Sequence, residues 1–270
     1  MRHFTVDAPG GTMGGVVVGA GPTVVLVAGL GATHRLWGEL PLVMARRCRV
    51  VAVDNRGVGG SRDGEPFTVA GMARDLVAVL DHLDAERYRL VGASLGGLIA
   101  LATALAAPTR AEALVVASSA ARLTTHGRRA LELLRDLLRH LPPARMGAAL
   151  VTLAFAPPFH GRFAGFVREA AALYGPDPAD VPGALVQVEH LLQGWDLRPS
   201  LARLACPALV LTGSRDPVVA REDTAEVADA LPRAKLVELS DAAHSVLAEG
   251  GGALLERVLD LVTAPSPTLG

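Results

Sequence analysis

The stretch YRLVGASLGGLIALATALAA, residues 88–107, constrains this chain more than any other. A short apolar run, Tyr88 to Val91, has strand character. It meets Gly92-Ala93-Ser94-Leu95-Gly96-Gly97, and a helical run of small residues follows at once. G-x-S-x-G between a strand and a helix is the setting of a nucleophile elbow. The turn must be sharp, so that the Ser94 hydroxyl is pushed out at the end of a sheet. Gly92 and Gly96 leave room for the backbones that pass beside it. A glycine-rich junction holding an ordinary serine fits the same pentapeptide, so the other segments have to decide.

Those segments repeat one rhythm. Residues 3–8 and 13–19 flank Pro9-Gly10-Gly11 and read as an antiparallel hairpin. TVVLVA at 23–28 and RVVAV at 49–53 are continuous β-branched runs, the mark of strands buried on both faces. His34 to Arg46 and Thr68 to Leu83 read as helices, the second with apolar residues at helical spacing and Thr68 as its N-cap. Strand 88–92, the helix behind it and a strand at 113–117 continue the alternation. The fold class is therefore α/β: a mostly parallel sheet with an opening antiparallel hairpin and helices on both faces.

From about 120 to 205 no strand is evident. Helices at 128–141, 145–155, 161–174 and 182–195, punctuated by prolines, read as a helical cap insertion over one end of the sheet. Strands resume at 208–212 and 235–239, with helices at 221–231 and 253–262. The expected organisation is a core domain of 1–119 and 206–263, an insertion of 120–205 and a loose tail of 264–270.

In an open parallel sheet, ligands bind beyond the carboxyl ends of the strands. Those ends carry Gly29-Leu30-Gly31, Asp54-Asn55-Arg56-Gly57, Ser94, Asp216 and His244. A serine hydroxyl needs a base to take its proton, and His244 is placed to serve. Asp216 would accept from the other ring nitrogen and fix the tautomer. Asp241 is a rival, but it lies too near His244 in sequence for that approach. A tetrahedral oxyanion also needs preorganised donors. The backbone N–H groups of Leu95, at a helix N-terminus, and of Leu30 are the candidates. Asp54 to Gly57 read as a structural turn. Pocket candidates are His34, Met146, Phe155, Phe159, Phe163, Trp195 and Val218, with most aromatics of the insertion expected to join it to the body.

Composition excludes several classes. Half of the 270 residues are hydrophobic and the formal charge is −1, so no basic surplus argues for nucleic acid or an anionic membrane. No charged-then-apolar leader opens the chain, and its apolar runs are broken by Gly or Pro, so a cytoplasmic protein without a membrane partner is expected. Cys48 and Cys206 read as lone buried thiols. No G-x-G-x-x-G follows the first buried strand, no P-loop is present, and His126, His140, His160 and His190 lack metal spacing. No cofactor and no metal are expected; the expected partner is a small-molecule substrate, on a monomer or homodimer.

With AGLGATHRLW at 28–37, VVAVDNRGVGGS at 50–61, VGASLGG at 91–97, LTGSRDPVV at 211–219 and SDAAHSV at 240–246, the chain resembles the α/β-hydrolase superfamily over about 23–262. Within it, the chain looks like the serine-nucleophile, cap-bearing branch: small bacterial esterases, aclacinomycin-type methylesterases and 3-oxoadipate enol-lactonase-like proteins. The order Ser, Asp, His is that of the family. Two departures stand out. Ala28-Gly29 replaces the common His-Gly before the oxyanion donor, and Asp241-Ala242-Ala243-His244 replaces Gly-x-Gly-His. The resemblance implies a cofactor-independent serine hydrolase of a small to medium, largely apolar carboxylic ester or lactone. A serine at the elbow, where epoxide hydrolases and haloalkane dehalogenases carry aspartate, implies acyl transfer. A thioesterase, C–C hydrolase or perhydrolase with the same triad, a biosynthetic lyase or cyclase, and a small-molecule binding protein on the same scaffold are the alternatives.

Overall fold

The structure is a computed structural model that describes residues 1–62 and 64–265. Of the expected loose tail, residues 266–270 lie outside the described residues. Eight strands among the described residues form one sheet: β1 (Arg2–Ala8), β2 (Gly11–Val18), β3 (Thr23–Val27), β4 (Arg49–Val53), β5 (Tyr88–Ala93), β6 (Ala111–Ala117), β7 (Ala208–Gly213) and β8 (Ala234–Leu239). Their order is β1-β2-β4-β3-β5-β6-β7-β8. β1 and β2 pair antiparallel, β2 meets β4 antiparallel, and every later pairing is parallel.

Strand parity divides the β-branched residues between two cores. Val25, Val27, Val51, Val53, Leu90 and Val116 face α2 (Val69–His82) and α3 (Leu95–Ala106). Val24, Leu26, Val50, Ala52, Val91 and Val115 face the other layer, with Trp37, Met44 and residues of a C-terminal helix. This two-sided burial is why these strands are largely apolar on both faces. Thr68 caps α2 by accepting the Gly71 N–H at 2.9 Å. The segment 34–46 is not one helix. A 3₁₀ turn at His34–Trp37 ends at Gly38 with φ 51°, and only α1 (Leu40–Met44) follows, with Pro41 in its first turn. Glycine supplies the left-handed corner and proline restarts the helix.

Between β6 and β7 lie α4 (Thr125–His140), α5 (Pro143–Ala154), α6 (Pro157–Arg162), α7 (Ala164–Tyr174), α8 (Val181–Leu192) and the short α9 (Arg198–Leu201). The expected helix over 161–174 is two, because Phe163 leaves helical geometry between α6 and α7. After β7 come α10 (Arg221–Ala230), α11 (Val246–Glu249) and α12 (Gly251–Thr263). Leu131, Leu138, Met146, Ala184 and Val188 of the inserted helices share the core of α2 and α3. Val151, Ala154, Phe155 and Ala170 form a separate cluster. Among the described residues no helix is long and apolar enough to cross a membrane.

The loop after β4 is anchored from below. Arg56 is buried and forks onto the fully buried Asp75 of α2, with Nε to Oδ2 at 2.8 Å; the other Asp75 oxygen accepts the Gly10 N–H at 2.9 Å. Removing one partner of such a pair strands a buried charge. Asp75→Ala should lower unfolding stability by about 3–5 kcal/mol, read by denaturant titration.

His190 on α8 seats the insertion against α2. Its Nε2 accepts from the Val69 N–H at 3.3 Å, one of the donors a helix N-terminus leaves open. Burial holds this imidazole below its ordinary value of 6.5. The unfolded chain therefore takes up the proton first, so this stability is present above pH 6.5 and is lost as pH falls through the lower folded value. His190→Gln should flatten the acid side of the stability-against-pH curve below pH 6.5, measured by thermal melts.

Candidate active site

Ser94 sits between β5 and α3 with φ 56° and ψ −123°, a conformation sparsely populated by residues with a side chain. Its N–H bonds Ala117 O at 2.8 Å and its C=O accepts from Gly97 N at 2.9 Å, so both neighbours hold the turn. A Cβ on Gly96 would lie 1.9 Å from Val27 O, and one on Gly92 would lie 2.2 Å from Gly96 O. Backbone occupies the space that any side chain would need, which accounts for both glycines of the pentapeptide.

Asp216 follows β7 and its side chain is fully buried. Oδ1 accepts from Val218 N at 2.8 Å and Val219 N at 3.0 Å, and Oδ2 lies 2.8 Å from His244 Nδ1. An ionised carboxylate only accepts, so Nδ1 carries the hydrogen and Nε2 is left as the basic nitrogen. The rival Asp241 turns away: it is exposed, has φ 62°, and pairs with Arg215 Nε at 2.7 Å. Among the described residues Ser94 Oγ and His244 share no hydrogen bond; bonds of this kind often tighten only with substrate in place.

A cavity of about 570 Å³, its open mouth included, has Ser94, Leu30 and Leu95 on its wall. Leu95 is the first residue of α3, so its N–H has no acceptor within the helix. The Leu30 N–H takes part in no backbone bond among the described residues. A Cβ on Gly29 would lie 3.4 Å from Ser94 Cβ, so the Leu30 turn runs directly beside the serine.

Of the other pocket candidates, Trp195 and Val218 line this cavity. His34 does not: its Nδ1 is held 2.8 Å from Asp54 Oδ1. Met146 belongs to the main core, while Phe155 stacks on Phe159 at 4.9 Å between centroids inside the separate cluster. Phe163 is 41% exposed. The aromatics pack with one another, and the wall is built instead from Leu131 and Leu134 of α4, Leu191 of α8 and Leu98 of α3. The three-residue spacing of Leu131 and Leu134 was the available signal. Arg122, Thr124 and Asp223 form its polar end. Arg122 forks onto Glu226, at 2.8 and 2.7 Å, and Thr124 Oγ1 donates to Asp223 at 2.8 Å. No group of three His, Cys, Asp or Glu able to hold a metal occurs among the described residues.

Residues 24–257 match the model of the alpha/beta hydrolase family. The chain belongs to this family. A protein assigned as carbamate hydrolase RutD from Pseudomonas savastanoi pv. phaseolicola is 28% identical over 83% of this chain and 87% of its own length. One assigned as non-heme bromoperoxidase BpoC from Mycobacterium tuberculosis is 31% identical over 84% and 88%. The crystal structure of the enol-lactonase from Burkholderia xenovorans superposes with a TM-score of 0.85 at 24% identity, covering 96% of this chain and all (100%) of the other, a likeness of fold.

The elbow conformation predicts a stability cost at Ser94. Ser94→Gly should be more stable than Ser94→Ala by about 1 kcal/mol, the relieved strain less the entropy of the unfolded glycine. Paired denaturant titrations of the two variants check this.

Proposed function

We propose that the chain is a cofactor-independent serine hydrolase that cleaves carboxylic esters or lactones through an acyl-enzyme. The observation that carries the reading is the His244–Asp216 bond of 2.8 Å at the strand ends that also present Ser94 on a strained elbow. In this mechanism His244 Nε2 takes the Ser94 proton as Oγ attacks the acyl carbon. The carbonyl oxygen becomes an oxyanion that accepts from the Leu30 and Leu95 N–H groups. Collapse breaks the bond to the leaving oxygen, which receives the proton from His244; from an ester it departs as an alcohol, and from a lactone it stays on the acyl chain as a hydroxyl. Water, deprotonated by His244, then attacks the acyl-serine, and the acid leaves as Ser94 regains its proton. Asp216 holds the imidazole and stabilises its charged form throughout.

The cavity favours a neutral acyl group. Its wall is mainly leucine, tryptophan and valine, and its arginine is committed to Glu226. A substrate carboxylate there would give up water and have to compete for Arg122. The inserted helices act as a cap that supplies this wall. Carbamates belong in the substrate panel because of the RutD relative, whose assigned activity is on that class.

With a p-nitrophenyl ester of a short neutral acid, Ser94→Ala should reduce kcat by about 10⁶-fold, and Asp216→Asn by about 10⁴-fold, with melting temperatures near that of wild type. A fluorophosphonate should label wild type at Ser94, detected by mass spectrometry. Unchanged turnover in Ser94→Ala, or tight ligand binding without turnover in wild type, would overturn the reading.

A further inference from the structure

The turn that carries the Leu30 N–H is held by two buried side-chain amides from distant parts of the chain. Asn55, in the loop after β4, donates Nδ2 to Ala28 O at 2.9 Å and to Gly29 O at 3.3 Å. Gln187, on α8 of the insertion, accepts the Gly31 N–H through Oε1 at 2.8 Å and donates Nε2 to Arg56 O at 2.9 Å. Both side chains belong to fully buried residues. Gly29 O also accepts from Ala32 N at 3.2 Å, closing a turn with Leu30 and Gly31 at its corners. Gly31 has φ 68°, as the second corner of a type II turn requires.

Peptide planarity turns these bonds into directions. The Gly29 carbonyl and the Leu30 N–H belong to one trans peptide and point opposite ways. Holding the carbonyl against Asn55 therefore aims the N–H away from it. Gln187 holds the next peptide by its N–H. Two consecutive peptides are each pinned on one side, the first by the core and the second by the insertion.

Adhesion alone does not call for an amide at 187. Ala184, Val188 and Leu191 already seat α8 in the main core, and Asp180 accepts from Gly59 N and from Arg62 Nε, each at 2.8 Å. An apolar side chain at 187 would leave the Arg56 carbonyl buried, and the half-buried Gly31 N–H, without partners. We propose that Gln187 is a positioning residue for the oxyanion hole, and that through it the seating of the inserted helices sets the aim of the Leu30 donor. This rests on the Ser94 acyl-transfer reading.

Gln187→Met and Gln187→Glu test it, with rates counted per Ser94 titrated by fluorophosphonate. On the p-nitrophenyl ester, Gln187→Met should lower kcat about tenfold while KM stays within about twofold, a part of the loss seen when a donor is removed outright. Affinity for a trifluoromethyl ketone, whose serine adduct carries the oxyanion, should fall by the same factor. Gln187→Glu keeps an acceptor for Gly31 but, ionised, offers no donor to Arg56 O, and should lose less kcat than Gln187→Met. A methionine variant with wild-type kcat and inhibitor affinity, or one changed only in KM or melting temperature, overturns the proposal. Should that variant not fold, Gln187→Ala with the same readouts decides: a kcat loss of about tenfold at unchanged KM supports the proposal and wild-type kcat overturns it. Wild type without turnover, or turnover in Ser94→Ala, counts against the Ser94 reading itself; an active wild type indifferent to Gln187→Met counts only against the role of Gln187.

Discussion

Ser94 holds a φ of 56° because everything around it leaves no other choice. β5 lies between β3 and β6, and the serine N–H is taken by Ala117 at the end of β6. α3 starts at once, and Gly96 in its first turn abuts the carbonyl of Val27 at the end of β3. A sparsely populated backbone conformation costs about 1–3 kcal/mol and persists only where the surroundings over-determine it. The same close approach matters twice. Val27 and Ala28 lead straight into Gly29-Leu30, so the helix behind the serine also meets the segment that launches the proposed donor turn. Ser94 and the proposed donor turn are placed by one contact between backbones.

Much of this was legible in the sequence, for a definite reason. Strands buried on both faces must be mostly apolar, so the short apolar runs marked β3, β4, β5, β6 and β7 without any need to know their partners. In a parallel sheet every strand ends at the same edge, so the residues following those runs were bound to gather there. That argument located Ser94 and Asp216; His244 follows the half-exposed β8 at the same edge, and the structure joins it to Asp216. The wall of the cavity was not legible in the same way. An apolar pattern says that a face is buried and not against what. Phe155 and Phe159 had a face to hide and hid it against each other, while Phe163 packs on Phe159 and stays half exposed. The leucines of α4 and α8, no more apolar, reached the serine.

Polar residues inside the core were the hardest to read. Asn55 looked like part of a structural turn, which it is, yet its useful feature is which carbonyl it meets. Gln187 meets an N–H 156 residues away. Local sequence carries no trace of such a partner, because an amide side chain suits any unpaired peptide group of the right depth and direction. By the same logic the departure at Ala28-Gly29 leaves the proposed backbone donor in place. The donor is a backbone group, and its direction is set by bonds to carbonyls rather than by the side chain that precedes it.

The second cluster of the insertion makes a matching contact on the opposite side of the site. Ser245 N donates to Ala154 O at 2.7 Å, and the Tyr174 hydroxyl bonds Ser245 Oγ. Glu249, whose carboxyl is pushed up by burial, accepts from Ala243 N at 2.7 Å and from Ala156 N at 3.1 Å. The two residues flanking His244 are thus tied, directly or through one carboxylate, to the strand-like link on either side of Phe155. The imidazole itself is held by Asp216. A buried aromatic cluster that stands apart from the Ser94 cavity is therefore not idle. Phe155 cannot shift without moving Ala154 and Ala156, and those carry the bonds to the base loop. The inserted helices form the cavity wall with one face, brace the Leu30 turn through α8, and brace the His244 loop through the segment joining α5 to α6.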